Sequence, residues 1–288
     1  MSTTIHLMQG LPGSGKSTYV GETFVNDEIV ASRDTISKMF GVVGKGILDA
    51  DGEAKVTEVQ TAIIRDAISR GVDVVVDDTN LNNVNARRFY KFGVNVQPHV
   101  MDTPVEECLL RNSLRPDRVP DEVILRMWSQ RDKWPILEPQ VFTPYVPNRD
   151  NHKVYVFDID GTLATAAGRR SPYDYSKVHQ DDVIREIADI VLALWSAGTA
   201  SVFLSGRSEG SREMTEGWLR ANVIDVPPVL FMRAEGDFRD DSIVKSELFD
   251  THVAPKYCAA GVFDDRSRVV NMWRTKGLRT FHVDYGQF

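Results

Sequence analysis

Two doubly wound α/β domains in tandem are the fold class this sequence predicts, and three observations carry it. Short apolar runs ending in Gly, Asp or Ser alternate with segments of helical period, which implies mostly parallel sheets covered by helices. The alternation is interrupted once, by WPILEPQVFTPYVPNRDN at 134–151, which carries four prolines and no amphipathic period. It then resumes with a different set of motifs. With 288 residues, 42% hydrophobic and 26% charged, either half is long enough to bury its own core. The expected boundaries are 1–140 for the first domain, 141–151 for an extended linker and 152–288 for the second domain.

In the first half, TIHLMQG reads as a buried strand running into a glycine loop. That loop, GLPGSGKS at 10–17, matches G-x-x-x-x-G-K-[ST] without departure. Gly10, Gly13 and Gly15 let the backbone turn tightly and aim N–H groups at phosphate. The following helix presents its positive end to the same anion. Lys16 is expected at the β and γ phosphates and Ser17 at Mg²⁺, with Ser14 and Thr18 completing the nucleotide-binding set. VASRDTISK places Asp34 just past a second strand, where a carboxylate can accept the proton of an attacking hydroxyl; the competing role is an N-cap. Arg33 beside it is a candidate for substrate phosphate. A helix is predicted over Ala54–Arg70, with Val56, Val59, Ile63 and Ala67 facing inward and Gly71 as its stop.

VDVVVDDTN ends a further strand in Asp77 and Asp78, one of which can hold water on Mg²⁺; Asp78 is the residue assigned. NVQPHVMD reads as another strand. RNSLRPDRVPDEVILRMWSQR, at 111–131, offers Arg111, Arg115, Arg118, Arg126 and Arg131. Interleaved acids allow a solvated hairpin whose ion pairs are worth little. The functional reading is a lid whose arginines close over a transferring phosphoryl group.

The second half opens with KVYVFDIDGT. Asp158 and Asp160 sit two apart at a strand end, so they point the same way and can face one phosphate. The first can attack phosphorus. The second can protonate the leaving group and later activate water, a role that calls for a raised pKa through a nearby like charge. TASVFLSGR supplies Ser205, Gly206 and Arg207 for phosphate. Lys245 can neutralise phosphate and nucleophile, and AAGVFDDR supplies Asp264 and Asp265. The four acids, Asp158, Asp160, Asp264 and Asp265, are the expected partners of Mg²⁺. RTFHVDYG is a fourth strand. Within DDVIREIADIVLALWSAG, Val183, Ile187, Val191 and Trp195 are predicted to line one helical face, with Gly198 as the stop.

Composition removes several classes. The two cysteines, Cys108 and Cys258, lie far apart, which excludes a disulfide framework and fits a reducing compartment. The six histidines do not cluster. The first residues lack a signal-peptide pattern and no apolar run approaches a membrane span, so a cytoplasmic location and no membrane partner are expected. A net charge of −7 argues against a large nucleic-acid interface but not against a grip on a strand end.

The second half resembles phosphatases of the haloacid dehalogenase superfamily. The order of the two halves resembles the bacteriophage polynucleotide kinase/3′-phosphatase family. SRD near 33, DTNLN at 78–82, RNS at 111–113, VP at 119–120, SPYD at 171–174, EGD at 235–237 and FDDR at 263–266 follow that family in the same order. The resemblance implies a 5′-hydroxyl kinase using ATP and Mg²⁺ and a 3′-phosphatase, acting on RNA or DNA ends that a ligase then seals, in a homotetramer. It implies Asp34 as kinase base, Arg126 as lid arginine, Asp158 as nucleophile, Asp160 as acid/base, and Ser205, Arg207, Arg233 and Lys245 as phosphate contacts. Where family members carry an arginine shortly after the base, this chain has Ser37, with Lys38 beside it.

Overall fold

Four parallel strands form the first sheet: β1 (Thr4–Gln9), β2 (Ile29–Val30), β3 (Val74–Val76) and β4 (Asn95–Val100), in the order β2-β3-β1-β4. The computed structural model describes residues 3–40, 48–171 and 174–286. Pro172 and Tyr173 of the SPYD stretch lie outside the described residues. Val74, Val75 and Val76 are all buried, as a strand covered on both faces requires. Ile5 pairs with Val74 and Val96 on either side, so β1 delivers the glycine loop from the centre of the sheet. Helix α1 (Lys16–Thr23) follows the loop, and α2 (Arg33–Met39) follows β2.

Helix α3 (Ala50–Arg70) is stopped by Gly71 in the left-handed region, φ 69°, as its sequence position predicts. Its buried seam is Val56, Gln60, Ile64 and Ala67, with Val59 and Ile63 only half-buried. The seam is rotated from the apolar expectation because Gln60 is drawn inward. Its Nε2 donates to the Ala31 carbonyl and to Asp78 Oδ2, both at 2.8 Å. After α4 (Asn83–Arg87), α5 (Val105–Ser113) and α6 (Asp121–Ser129) form a hairpin. Asn112 closes it: the Asn112 side chain donates to the Val119 carbonyl at 2.7 Å and accepts from the Val119 amide at 3.0 Å.

The second sheet is also all parallel, β11-β10-β5-β8-β9, built from β5 (His152–Phe157), β8 (Ala200–Ser208), β9 (Val229–Arg233), β10 (Tyr257–Arg266) and β11 (Thr280–Gly286). A short antiparallel pair, β6 (Ala164–Thr165) and β7 (Asp182–Val183), follows the DIDGT turn. Phe263 stacks between Phe157 and Phe281, with ring centroids 4.5 Å apart on each side. Helix α7 (Arg185–Ser196) buries Ala188 and Val191. Val183 falls in β7 instead, and Trp195 is 50% exposed, because the helix starts two residues later than its apolar pattern suggests. The remaining helices are α8 (Arg212–Asn222), α9 (Asp241–Leu248) and α10 (Ser267–Thr275).

The chain divides between Val141 and Phe142. The proline-rich stretch after that point is docked, not free. Phe142 is buried in the second core, and Tyr145 Oη accepts from the Ala259 amide at 2.9 Å. The buried Lys276 Nζ donates to the Thr143 carbonyl at 3.0 Å. Prolines suppress helix and strand, but they leave side chains free to pack.

Two candidate active sites

The glycine loop of the first unit is a formed cradle. Gly13 and Gly15 have φ of 83° and 96°, a region that favours glycine. A side chain at Gly13 would run into the backbone of Cys108 on α5, so the loop is packed against the lid hairpin. Thr103 Oγ1 donates to the Ser14 carbonyl at 2.9 Å and the Gly10 amide to the Thr79 carbonyl at 3.0 Å. Ser14 Oγ is buried with no partner, an orphaned polar atom inside the loop. Lys16 Nζ donates to the carbonyls of Gly10 and Leu11 at 3.0 and 2.8 Å. Burial pushes Lys16 down to about 8, with Arg115 adding to the effect and Asp77 opposing it.

A cavity of about 620 Å³ opens over the loop. Gly13, Gly15, Lys16, Ser17 and Thr18 line one side, Arg111 and Arg115 another. Arg126, the lid arginine the resemblance implies, is exposed on α6 and is not among the residues lining this cavity. Arg115→Ala should lower the rate of phosphoryl transfer by roughly 10²–10³-fold, the cost of removing one charge-stabilising group. Arg126→Ala should change it by less than about threefold. Steady-state rates of the two variants decide between them.

Asp34 is exposed on the first turn of α2. The N-cap is Ser32, whose Oγ accepts from the Thr35 amide at 3.5 Å, so the capping role is already filled. Ser37 Oγ donates to the Arg33 carbonyl at 2.8 Å, turned back on its own helix. Arg33 is less available than expected: its guanidinium pairs with Glu53 and donates to Thr57 Oγ1 at 2.8 Å. It lines a second cavity of about 650 Å³ with Glu53, Thr57 and Asn85.

The two acids after β3 have different surroundings. Asp78 Oδ1 accepts from the Arg33 amide at 2.9 Å and Oδ2 from Gln60, so it braces α2 against α3. Burial raises its pKa. Asp77, by contrast, has a buried oxygen without a partner and acts electrostatically on Lys16. The geometry favours Asp77 over Asp78 beside the phosphate loop. Sequence alone gave no way to order two adjacent aspartates.

In the second unit the ends of β5, β8 and β10 converge as expected. Lys245 Nζ lies 2.8 Å from Asp158 Oδ1 and 2.9 Å from Asp264 Oδ2. Oxygens of Asp158, Asp264 and Asp265 lie within 4.8 Å of one another, all three residues buried. A side chain at Gly161, φ 84°, would strike the Asp265 carboxylate, so only glycine leaves room for this approach. Burial pushes Asp158 up to about 8, with Asp264 and Asp265 adding to it and Lys245 opposing. Asp265 is pushed up to about 6 for the same reasons. Burial alone would lower Lys245, but Asp158 and Asp264 hold it above the usual lysine value. One ammonium among three buried carboxylates leaves a negative excess, and the residues fit a divalent cation.

Asp160 does not join that cluster. Burial works to raise its pKa, but Arg207 and Arg170 outweigh it and hold the carboxyl below the usual range. This reverses the expected raised value and removes its side chain from the metal set. Arg207 is fully buried: Nε reaches Asp160 Oδ2 at 2.8 Å and Nη2 reaches Asp181 Oδ2 at 2.8 Å. Arg170 spans the same two acids at 2.9 and 2.6 Å. Arg207, expected at phosphate, here holds Asp160 and Asp181 with its guanidinium donors. Arg233 is likewise committed, to the Gly206 carbonyl at 2.9 Å and to Asp241, which also binds Arg266. Ser205 is buried, its Oγ accepting from the Arg207 amide at 3.2 Å. Sequence reasoning missed Arg170, Asp181 and Asp241; Asp241 follows the EGD stretch, Asp181 opens the stretch read as a helix, and Arg170 sits in a segment without period.

Residues 152–288 match the family model of the polynucleotide kinase PNKP phosphatase domain, and residues 5–133 match an AAA domain. A putative bifunctional polynucleotide kinase/RNA ligase of Autographa californica nuclear polyhedrosis virus is 30% identical over 308 aligned residues. The alignment takes in 100% of this chain but 44% of that protein, so the chain spans less than half the length of this relative. The L-seryl-tRNA(Sec) kinase of Methanococcus maripaludis is 27% identical over 44% of this chain and 51% of its own. Among solved structures, a chain of the Pnkp1/Rnl/Hen1 RNA repair complex is 28% identical with a TM-score of 0.52, covering 100% of this chain and 97% of that one. No helix among the described residues is long and apolar enough to cross a membrane.

Proposed function

From a chain whose second half matches the polynucleotide kinase PNKP phosphatase domain and whose first half matches an AAA domain, we propose a bifunctional enzyme that heals nucleic-acid ends, with a P-loop kinase domain followed by a phosphatase domain of the haloacid dehalogenase type. It phosphorylates 5′-hydroxyl ends from ATP with Mg²⁺ and removes 3′-phosphate, including 2′,3′-cyclic phosphate, readying both ends for a ligase. The observation that carries this reading is the presence of two complete phosphate-handling centres, each at the carboxyl ends of its own parallel sheet.

In the kinase half, Lys16 and the loop amides bind the β and γ phosphates. Asp34, unpaired and exposed, accepts the proton of the 5′ hydroxyl as its oxygen attacks the γ phosphorus. Arg111 and Arg115 offset the charge on the equatorial oxygens, and Asp77 stands beside the loop where a nucleotide-bound cation belongs. In the phosphatase half, an Asp158 oxygen attacks phosphorus, the bond to the strand's 3′ oxygen breaks, and an aspartyl-phosphate forms. Asp160, held ionised, suits the second step, taking the proton of the water that hydrolyses that intermediate. The first step asks it to give a proton, which Arg207 and Arg170 disfavour by holding the carboxyl below its usual range. A divalent cation at Asp158, Asp264 and Asp265 would cancel their negative excess and keep Asp158 ionised for attack.

The test is one incubation with γ-labelled ATP and an oligonucleotide bearing a 5′ hydroxyl and a 3′ phosphate. Label should appear at one end and phosphate leave the other, and Asp34→Ala should lose only the first activity. Transfer to no strand, RNA or DNA, would overturn the reading.

The acid cluster also sets a pH dependence. Asp158 and Asp265 have folded values above their unfolded ones, so they favour the fold most at low pH. That contribution should fall as pH rises from about 4 through about 8. Added Mg²⁺ should raise the melting temperature of the phosphatase half more at pH 8 than at pH 6. An equal shift at both values would count against metal binding at these three acids.

A further inference from the structure

Phe238 is 95% exposed, more than any other large apolar side chain among the described residues. Such rings normally sit on loop tips free to fold them away. Here the loop backbone beneath the ring is fixed. Arg233 Nη1 donates to the carbonyls of Asp237 and Arg239, at 3.1 and 2.8 Å, gripping the chain on both sides of the ring. The Asp237 amide donates to the Ala234 carbonyl at 3.2 Å, and Asp237 Oδ1 accepts from the Arg239 amide at 3.0 Å. Arg239 is tied in turn to Glu247 on α9 at 2.7 Å.

The same loop is fastened to the phosphatase site. The Arg233 guanidinium that grips it also donates through Nε to the Gly206 carbonyl and pairs with Asp241. Strand β9 lies against β8 with Met232 opposite Ser205. The loop therefore leaves the sheet at its carboxyl edge, beside the end of β8 that carries Ser205, Gly206 and Arg207, with β5 and its acids the next strand along. An apolar ring stands in water on a fixed loop at the margin of this site.

We infer that Phe238 is a stacking platform for a nucleobase of the strand whose 3′ end enters the phosphatase site. The inference rests on the 3′-phosphatase reading. Every base has a π face, so a phenyl ring grips an unpaired end without reading its sequence, which healing of arbitrary breaks demands. A loop fixed in advance loses little further freedom when a base lands on its ring. The base lies one sugar away from the phosphate being removed, which suits a contact at the margin of the site. It also supplies affinity without positive charge, in a chain whose net charge is −7.

The full-length protein is assayed on a 3′-phosphorylated oligonucleotide and on the same strand with its last two nucleotides lacking bases. Base–aromatic stacking should give the wild type a kcat/KM preference for the intact strand of roughly five- to a hundredfold. In Phe238→Ala this preference should collapse toward one, through KM, and Phe238→Trp should restore it. An unchanged preference in Phe238→Ala overturns the inference. A changed sedimentation coefficient with the preference intact assigns the ring to a second copy of the chain instead. No turnover of either strand by the wild type strikes the phosphatase reading itself, a failure distinct from lost base preference.

Discussion

Asp158→Asn should cut phosphate release from a 3′-phosphorylated strand by roughly 10⁴-fold or more, as loss of a covalent nucleophile does. Phosphorylation of 5′ ends should stay within about twofold of wild type, since the change touches only the second core. The substitution is also informative about stability. Asparagine is neutral and nearly the same shape, and burial already disfavours the charged form of Asp158. Without a divalent cation the variant should melt no lower than wild type at pH 8. Loss of activity can then be read as chemistry and not as unfolding. Residual phosphatase activity above a tenth of wild type would exclude Asp158 as the nucleophile, and loss of both activities would exclude two independent sites.

Arg207→Ala should destabilise the phosphatase half by about 3–5 kcal/mol, the usual cost of stripping a partner from a buried charge. Asp181 is nearly inaccessible and Asp160 shares the same guanidinium, so Arg170 alone would remain between two carboxylates. The emptied volume adds to the loss. Urea titration followed by tryptophan fluorescence should show the transition of Trp218, whose Nε1 donates to the Asp181 carbonyl at 2.9 Å, moving to lower denaturant. Arg207→Lys keeps the charge but not the fork and should fall between. If Arg207 were instead a direct phosphate ligand, the alanine variant would unfold like wild type and show only a raised KM.

What the sequence made legible was local. The glycine loop, the D-x-D-G-T turn and the acids after apolar strands are each specified within a dozen residues, and their convergence follows from parallel topology. What it hid was tertiary. Arg207 and Arg233 stand beside phosphate-binding motifs and read as ligands, yet both spend their donors on protein acceptors. Their burial depends on Asp181 and Asp241, which no spacing links to them. Arg126 is implied by its spacing from RNS, whereas the cavity over the loop is lined by Arg111 and Arg115, a tertiary arrangement that spacing along the chain does not carry. The pKa of Asp160 failed for a related reason: a neighbouring acid was visible in the sequence, while two neighbouring arginines were not.

The docked proline-rich stretch bears on how such a protein can be divided or recombined. A piece beginning at residue 152, where the second family match starts, would leave behind Phe142, the Tyr145 hydroxyl that serves Ala259, and the carbonyl that receives the buried Lys276 ammonium. A piece beginning at Phe142 takes them along. The portable module is therefore longer than the catalytic motifs imply. Its upstream boundary is set by a lysine near the far end of the second unit, so the phosphatase half can be exchanged between proteins intact only together with the segment that precedes its first strand.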